Sequence, residues 1–226
     1  MMSRLDWTGM EPFLLISIAA IASTGWQARV DPSVFDRYFA VLDPTLVMAG
    51  AMVIGGFAIA YLQGTSEFAF SGPGSWTDAL VVVVRAVPLF AASAIGADIV
   101  FRYPEDMNVA MPDALRFYPA IAVFMEAVVH ALPIAVLVGI FGMPTGLDST
   151  FWRIAAPVAL IEAVLQAFYA TSIGTSIASL VQLSVFGVVQ VWVFWRFGFV
   201  WMLGFRLAYY AIWHGAWGAA RLELLF

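Results

Sequence analysis

Residues Ala120–Ile140 read AIAVFMEAVVHALPIAVLVGI, an apolar run about as long as a bilayer crossing that nonetheless holds Glu126 and His130. On a helix that spacing puts the two side chains on one face, one turn apart. Pro133 has no backbone N–H, so it leaves the Val129 carbonyl without its helical donor. A charge near mid-membrane costs about 2.5–3.5 kcal/mol on insertion scales, so such residues turn into a bundle and find partners there. The other apolar segments supply the candidates.

The 226-residue chain is 63% hydrophobic and 11% charged, with a mean hydropathy of +0.92. Those proportions describe a polytopic membrane protein and exclude a soluble globular domain. There is no cysteine, which removes disulfides, thiolate metal sites and cysteine nucleophiles. There is no lysine either, and all ten basic residues are arginine. The net charge of -5 is spread over loops without a basic run, which weighs against nucleic-acid binding. Phe13–Ser23 has the length of a signal-peptide core, but Asp6 and Glu11 precede it with only Arg4 to offset them. Trp7 and Trp26 flank it as interfacial anchors, so it reads as a retained first helix. A cleaved or interfacial segment is the alternative.

Apolar runs bounded by turn residues predict an all-α, polytopic bundle of about seven transmembrane helices forming a single domain over 1–226. The crossings fall at about Glu11–Trp26, Thr45–Gln63, Asp78–Val100, Asp113–Phe141, Thr150–Ala170, Thr175–Arg196 and Phe199–Ala220. A short interfacial helix is expected at Phe35–Leu42. Backbone groups cannot stay unpaired in lipid, and no alternating strand pattern competes with these helices. There is no internal repeat. Arg29, Arg37, Arg102, Arg116 and Arg221 fall on one side, against Arg4, Arg153 and Arg196 on the other. The positive-inside rule then puts the C-terminus in the cytoplasm.

Intramembrane polar groups concentrate in 113–220. The fifth crossing carries Glu162, Gln166 and Tyr169 on one face; the sixth carries Thr175, Ser179, Gln182 and Gln190 on one stripe. The seventh carries Arg206, Tyr210 and His214 one turn apart, beside the small residues Ala211, Gly215 and Ala219. Glu126 and Glu162 are the deep acids, Arg206 and Arg85 the deep bases. Arg85, Glu126, Glu162, Gln166, Arg206 and Tyr210 are therefore expected to form a structural charge network, with bidentate Arg–carboxylate pairing making burial tolerable. Two other chemistries fit the same residues. Glu126 and His130 with Glu162 and His214 are ligand types that suit zinc or an activated water. Two membrane histidines could also hold a tetrapyrrole through axial imidazole. The nine tryptophans are better accounted for by interfacial belts, since Trp152, Trp192, Trp195 and Trp201 sit near expected helix ends.

The order of these segments resembles the CPBP family of CAAX-protease and bacteriocin-processing intramembrane proteases. That family carries E-E-x-x-x-R on one helix, F-x-x-x-H on the next and H-x-x-x-N on a later one. Here Met125-Glu126-Ala127-Val128-Val129-His130 stands where the first motif would, and Pro157–Ala170 offers Glu162 and Gln166 on the second helix. Phe194–Trp201 resembles the aromatic, glycine-containing turn before the last motif, and Arg206-x-x-x-Tyr210 stands in that motif's place. The likeness covers 113–217.

Among positions that would do chemistry, only Glu126 is kept. Met125 and His130 replace the first glutamate and the arginine, and Arg206 replaces the later histidine. A thioether cannot activate water, and an arginine neither accepts a proton nor binds a metal. The resemblance thus implies a degenerate member of a bacterial cytoplasmic membrane, non-catalytic, with its former site filled by charge pairs, acting by binding or assembling with other membrane proteins. The alternative is an active CAAX-type endopeptidase using Glu126 with His130, Glu162 and His214; a pigment-binding subunit and a small-solute transporter stand further off. No cofactor is firmly implied.

Overall fold

A computed structural model of the chain describes residues 5–35, 42–65, 68–168, 170 and 172–226. The described residues are all-helical, with no strand among them. We number the long helices α1 (Glu11–Val30), α2 (Pro44–Gln63), α3 (Trp76–Phe101), α4 (Ala114–Phe141), α5 (Ser149–Phe168), α6 (Ile173–Phe197) and α7 (residues 199–225). Helices α4 and α7 each contain a π-helical turn, Met125–Ala131 and Ala211–Trp217. Helices α1 to α6 are long and apolar enough to cross a membrane.

Local sequence chemistry starts several of them. The Asp43 carboxylate accepts from the N–H groups of Thr45 and Leu46 at 2.8 and 2.9 Å, satisfying orphan donors at the start of α2. Ser75 caps α3 through the Asp78 N–H, and Ser172 with Thr175 closes a capping box on α6. Asp148 caps α5; the N–H groups of Phe151 and Thr145 hold its carboxyl below the usual carboxylate range.

Helix α7 is not in the apolar group, because Arg206, His214 and Arg221 interrupt it. Its two ends nevertheless lie at opposite ends of the bundle. At its start, Phe199 and Val200 donate to the carbonyls of Ala69 and Phe70, while Gly72 and Gly74 donate to Phe197 and Arg196. These bonds fasten the α6–α7 corner to the α2–α3 loop. At its end, Arg221 binds the loop that follows α3. The seven helices therefore run up and down, six of them apolar enough to cross a membrane and α7 held among them by polar interactions. Tight packing completes the frame: Gly55 of α2 lies so close to α4 that a Cβ there would come within 2.5 Å of the Ala127 Cβ.

Several boundaries move outward from the sequence expectation. Helix α1 continues past Trp26 to Val30, with Gln27 buried, and α7 continues past Ala220, where Arg221 is a buried anchor. Of the expected interfacial helix at Phe35–Leu42, residues 36–41 lie outside the described residues, as does Tyr169.

The corner also yields a prediction. Gly198 has φ +97°, and a Cβ there would lie 2.3 Å from the Gly72 nitrogen. Gly198→Ala should cost about 2 kcal/mol or more, through left-handed strain and the displaced loop. Thermal unfolding in detergent, with helix content at low temperature unchanged, is the measurement.

Candidate functional site

Both histidines of the chain sit on the π-helical turns. On α4 the Leu132 N–H bonds to Ala127 rather than to Val128, so the ladder widens just before Pro133. A proline removes the donor that would close the next α-helical bond, and a wider turn is one way to absorb the break. Such turns frequently mark functional positions. Here they aim Glu126 and His130 of α4 and His214 of α7 at the bundle interior.

Arg206 is the hub. Its Nη1 and Nη2 donate to the two oxygens of Glu162 at 2.8 and 2.7 Å, a bidentate fork, and its Nε donates to Glu126 Oε1. Gln190 Nε2 donates to the same Glu126 oxygen at 2.6 Å, and the Tyr210 hydroxyl accepts from Nη1 at 3.1 Å. The guanidinium also lies 5.4 Å from the Phe186 ring centre and 5.5 Å from that of Tyr210. Glu126, His130 and Arg206 are fully enclosed, and Glu162 is 3% exposed. Four helices thus converge on one cation. His130 Nδ1 stands 3.3 Å from Glu126 Oε2 without hydrogen-bond geometry, and both His130 nitrogens, Glu126 Oε2 and Gln190 Oε1 lack a partner.

Beside the hub is a polar cavity of about 60 Å³, whose wall includes Glu162, Gln166, Ser179, Gln182, Tyr209 and His214. His214 Nδ1 pairs with Asn108 Oδ1 at 2.7 Å, and its ring stacks on Tyr118 at 4.2 Å. Gln182 bonds the Tyr209 hydroxyl and the Phe90 carbonyl. The cavity has room for a few waters and lies well below the roughly 300–1,000 Å³ of ordinary ligand pockets. The cavity wall that includes His214 encloses far less volume than a tetrapyrrole fills. Among the described residues, no three His, Asp or Glu side chains converge as metal ligands.

A second buried pair was not foreseen. Arg221 forks onto Asp98 at 2.7 and 2.9 Å and donates to the carbonyls of Tyr103 and Pro104, while the Trp217 Nε1–H reaches the same carboxylate at 2.7 Å. Both side chains are fully buried. The signal was present, an acid ending one apolar run and an arginine beyond another, but nothing in the spacing paired them. Arg221 is consequently no free loop charge for the arginine tally.

The expected residues therefore divide. Glu126, Glu162, Arg206 and Tyr210 come together, with His130 behind Glu126. Gln166 and His214 line the cavity instead. Arg85 corrects the expectation: it lies on the outer face of α3, opposite the buried stripe of Val87, Ala91, Ala94 and Asp98, and belongs to no interior network. No family model matches this chain, and neither curated proteins nor solved structures provide a similar one.

Removing Arg206 leaves two enclosed carboxylates facing each other. Arg206→Met should cost about 3–5 kcal/mol, the scale for stranding a buried charge, and the triple change with Glu126→Gln and Glu162→Gln should recover much of it. Arg206→Lys should rescue poorly, since an ammonium cannot fork. Detergent unfolding midpoints of the three variants decide this.

Proposed function

We propose that this integral membrane protein is a non-catalytic bundle of CPBP-like architecture that acts by binding or assembling with other membrane proteins. One observation carries the reading. Arg206 engages both oxygens of Glu162 and one of Glu126, while Glu126 and His130 are fully buried and neither lines the cavity. A general base needs an accessible lone pair within hydrogen-bond reach of a water. In this arrangement the carboxylates hold helices together.

A peptidase reading has one observation in its favour, the shared cavity wall of Glu162 and His214. For it to act, Glu162 must leave the guanidinium fork. Two variants separate the readings. Under the proposal, purified protein leaves membrane-embedded peptide substrates uncut, and His214→Ala changes nothing there. Glu162→Gln lowers the unfolding midpoint and the recovery of co-purifying membrane proteins. Cleavage by the unmodified protein that disappears in a folded His214→Ala variant would establish the peptidase instead.

A further inference from the structure

Arg85 lies within α3, about 13 Å along the axis from Trp76 at 1.5 Å per residue. Trp76 packs edge-on against Trp201 at the start of α7, at the end of the bundle where Trp192 and Trp195 also lie. Arg85 is thus well inside the apolar length of its helix. Among the described residues it has no hydrogen bond, ion pair or ring contact. Only 22% of the most apolar window of α3 is buried inside the bundle. The exposed face holding Arg85 also carries Val81, Val84, Leu89, Ala92 and Val100.

In a bilayer that face meets hydrocarbon, where an unpaired guanidinium is costly and calls for an anionic partner. We infer that the outer face of α3 docks a transmembrane helix of a different membrane protein, one bearing an Asp or Glu at the depth of Arg85. The inference rests on the proposal that the chain acts through other membrane proteins, and adds where contact is made and which charge selects the partner.

A second copy does not fit. A two-fold pairing through this face sets Arg85 against Arg85, and like charges in contact repel. Every acid of the described chain that is not buried sits near a helix end or in a loop; the nearest on α3, Asp78, is about 10 Å away along the axis. The surface suits close helix contact. Ala92 and Gly96 are one turn apart, and a Cβ at Gly96 would meet nothing within 4 Å. To one side, α3 and α6 bound an apolar groove of about 610 Å³ lined by Phe90, Ala97, Phe101, Ile177 and Val181. The competing occupant is an anionic lipid, reached by the arginine stretching towards the surface.

The test uses the full chain in the membrane of its source organism, with a photo-crosslinking benzoyl-phenylalanine at Leu89 or Ala92 on α3, and at Val136 or Leu160 on other outer faces. The expected result is one discrete polypeptide adduct from the α3 positions, whose crosslinked helix contains an Asp or Glu. Arg85→Leu should reduce its yield about tenfold, and exchanging the charges, Arg85→Glu with the partner's acid changed to Arg, should restore it. Arg85→Leu should leave the unfolding midpoint of the isolated protein unchanged. Lipid adducts alone, an adduct of dimer mass, a yield indifferent to Arg85→Leu, or a lowered midpoint would each overturn the inference. Polypeptide adducts confined to Val136 or Leu160 would remove the α3 site and leave the broader proposal standing; none from any position would remove both.

Discussion

A single guanidinium holds the centre of this bundle. Arg206 of α7 reaches α5 through Glu162 and α4 through Glu126, and Gln190 of α6 joins at the same carboxylate. Apolar packing cannot by itself specify which helix faces which in a bilayer, because lipid tails are as apolar as leucine. Directional, charge-assisted bonds can, and a forked arginine has only a few satisfactory orientations. The cluster accordingly fixes the rotation of four helices about their own axes. It holds two carboxylates against one guanidinium, with His130 the remaining ionisable group beside Glu126.

Helix α7 is bound three times over its length. The glycine-lined corner ties its start to the α2–α3 loop, Arg206 ties its middle to α4 and α5, and Arg221 ties its end to Asp98. The first and third attachments both involve segments flanking α3, so α3 is held at each end while its outward face stays free. That explains how a helix with so little of its surface buried keeps a defined orientation.

Much of this was readable from residue types and spacing. Apolar run lengths gave the helices to within a few residues, and the deep residues Glu126, Glu162 and Arg206 drew attention because charges in such runs are rare. What spacing could not supply was azimuth. Arg85 and Arg206 look alike in sequence, each an arginine in an apolar run, yet one faces out and the other in. The buried stripe of α3 identifies the difference: Val87, Ala91, Ala94 and Asp98 define an inner face that excludes position 85. The π turns escaped because i, i+4 reasoning assumes an α-helical ladder throughout, and they reset the faces carrying both histidines. Asp98 and Arg221 escaped because their partnership spans 123 positions in the chain.

The placement of the acids has a bearing on biogenesis. Glu126, Glu162 and Asp98 all precede α7, the segment carrying both arginines that neutralise them. The acids of α3, α4 and α5 come earlier in the chain than the arginines that pair with them, and α7 is not among the helices apolar enough to cross by composition. Neutralisation of the interior therefore depends on the last helix, and a chain ending before residue 206 would keep its deepest carboxylates without their counterions.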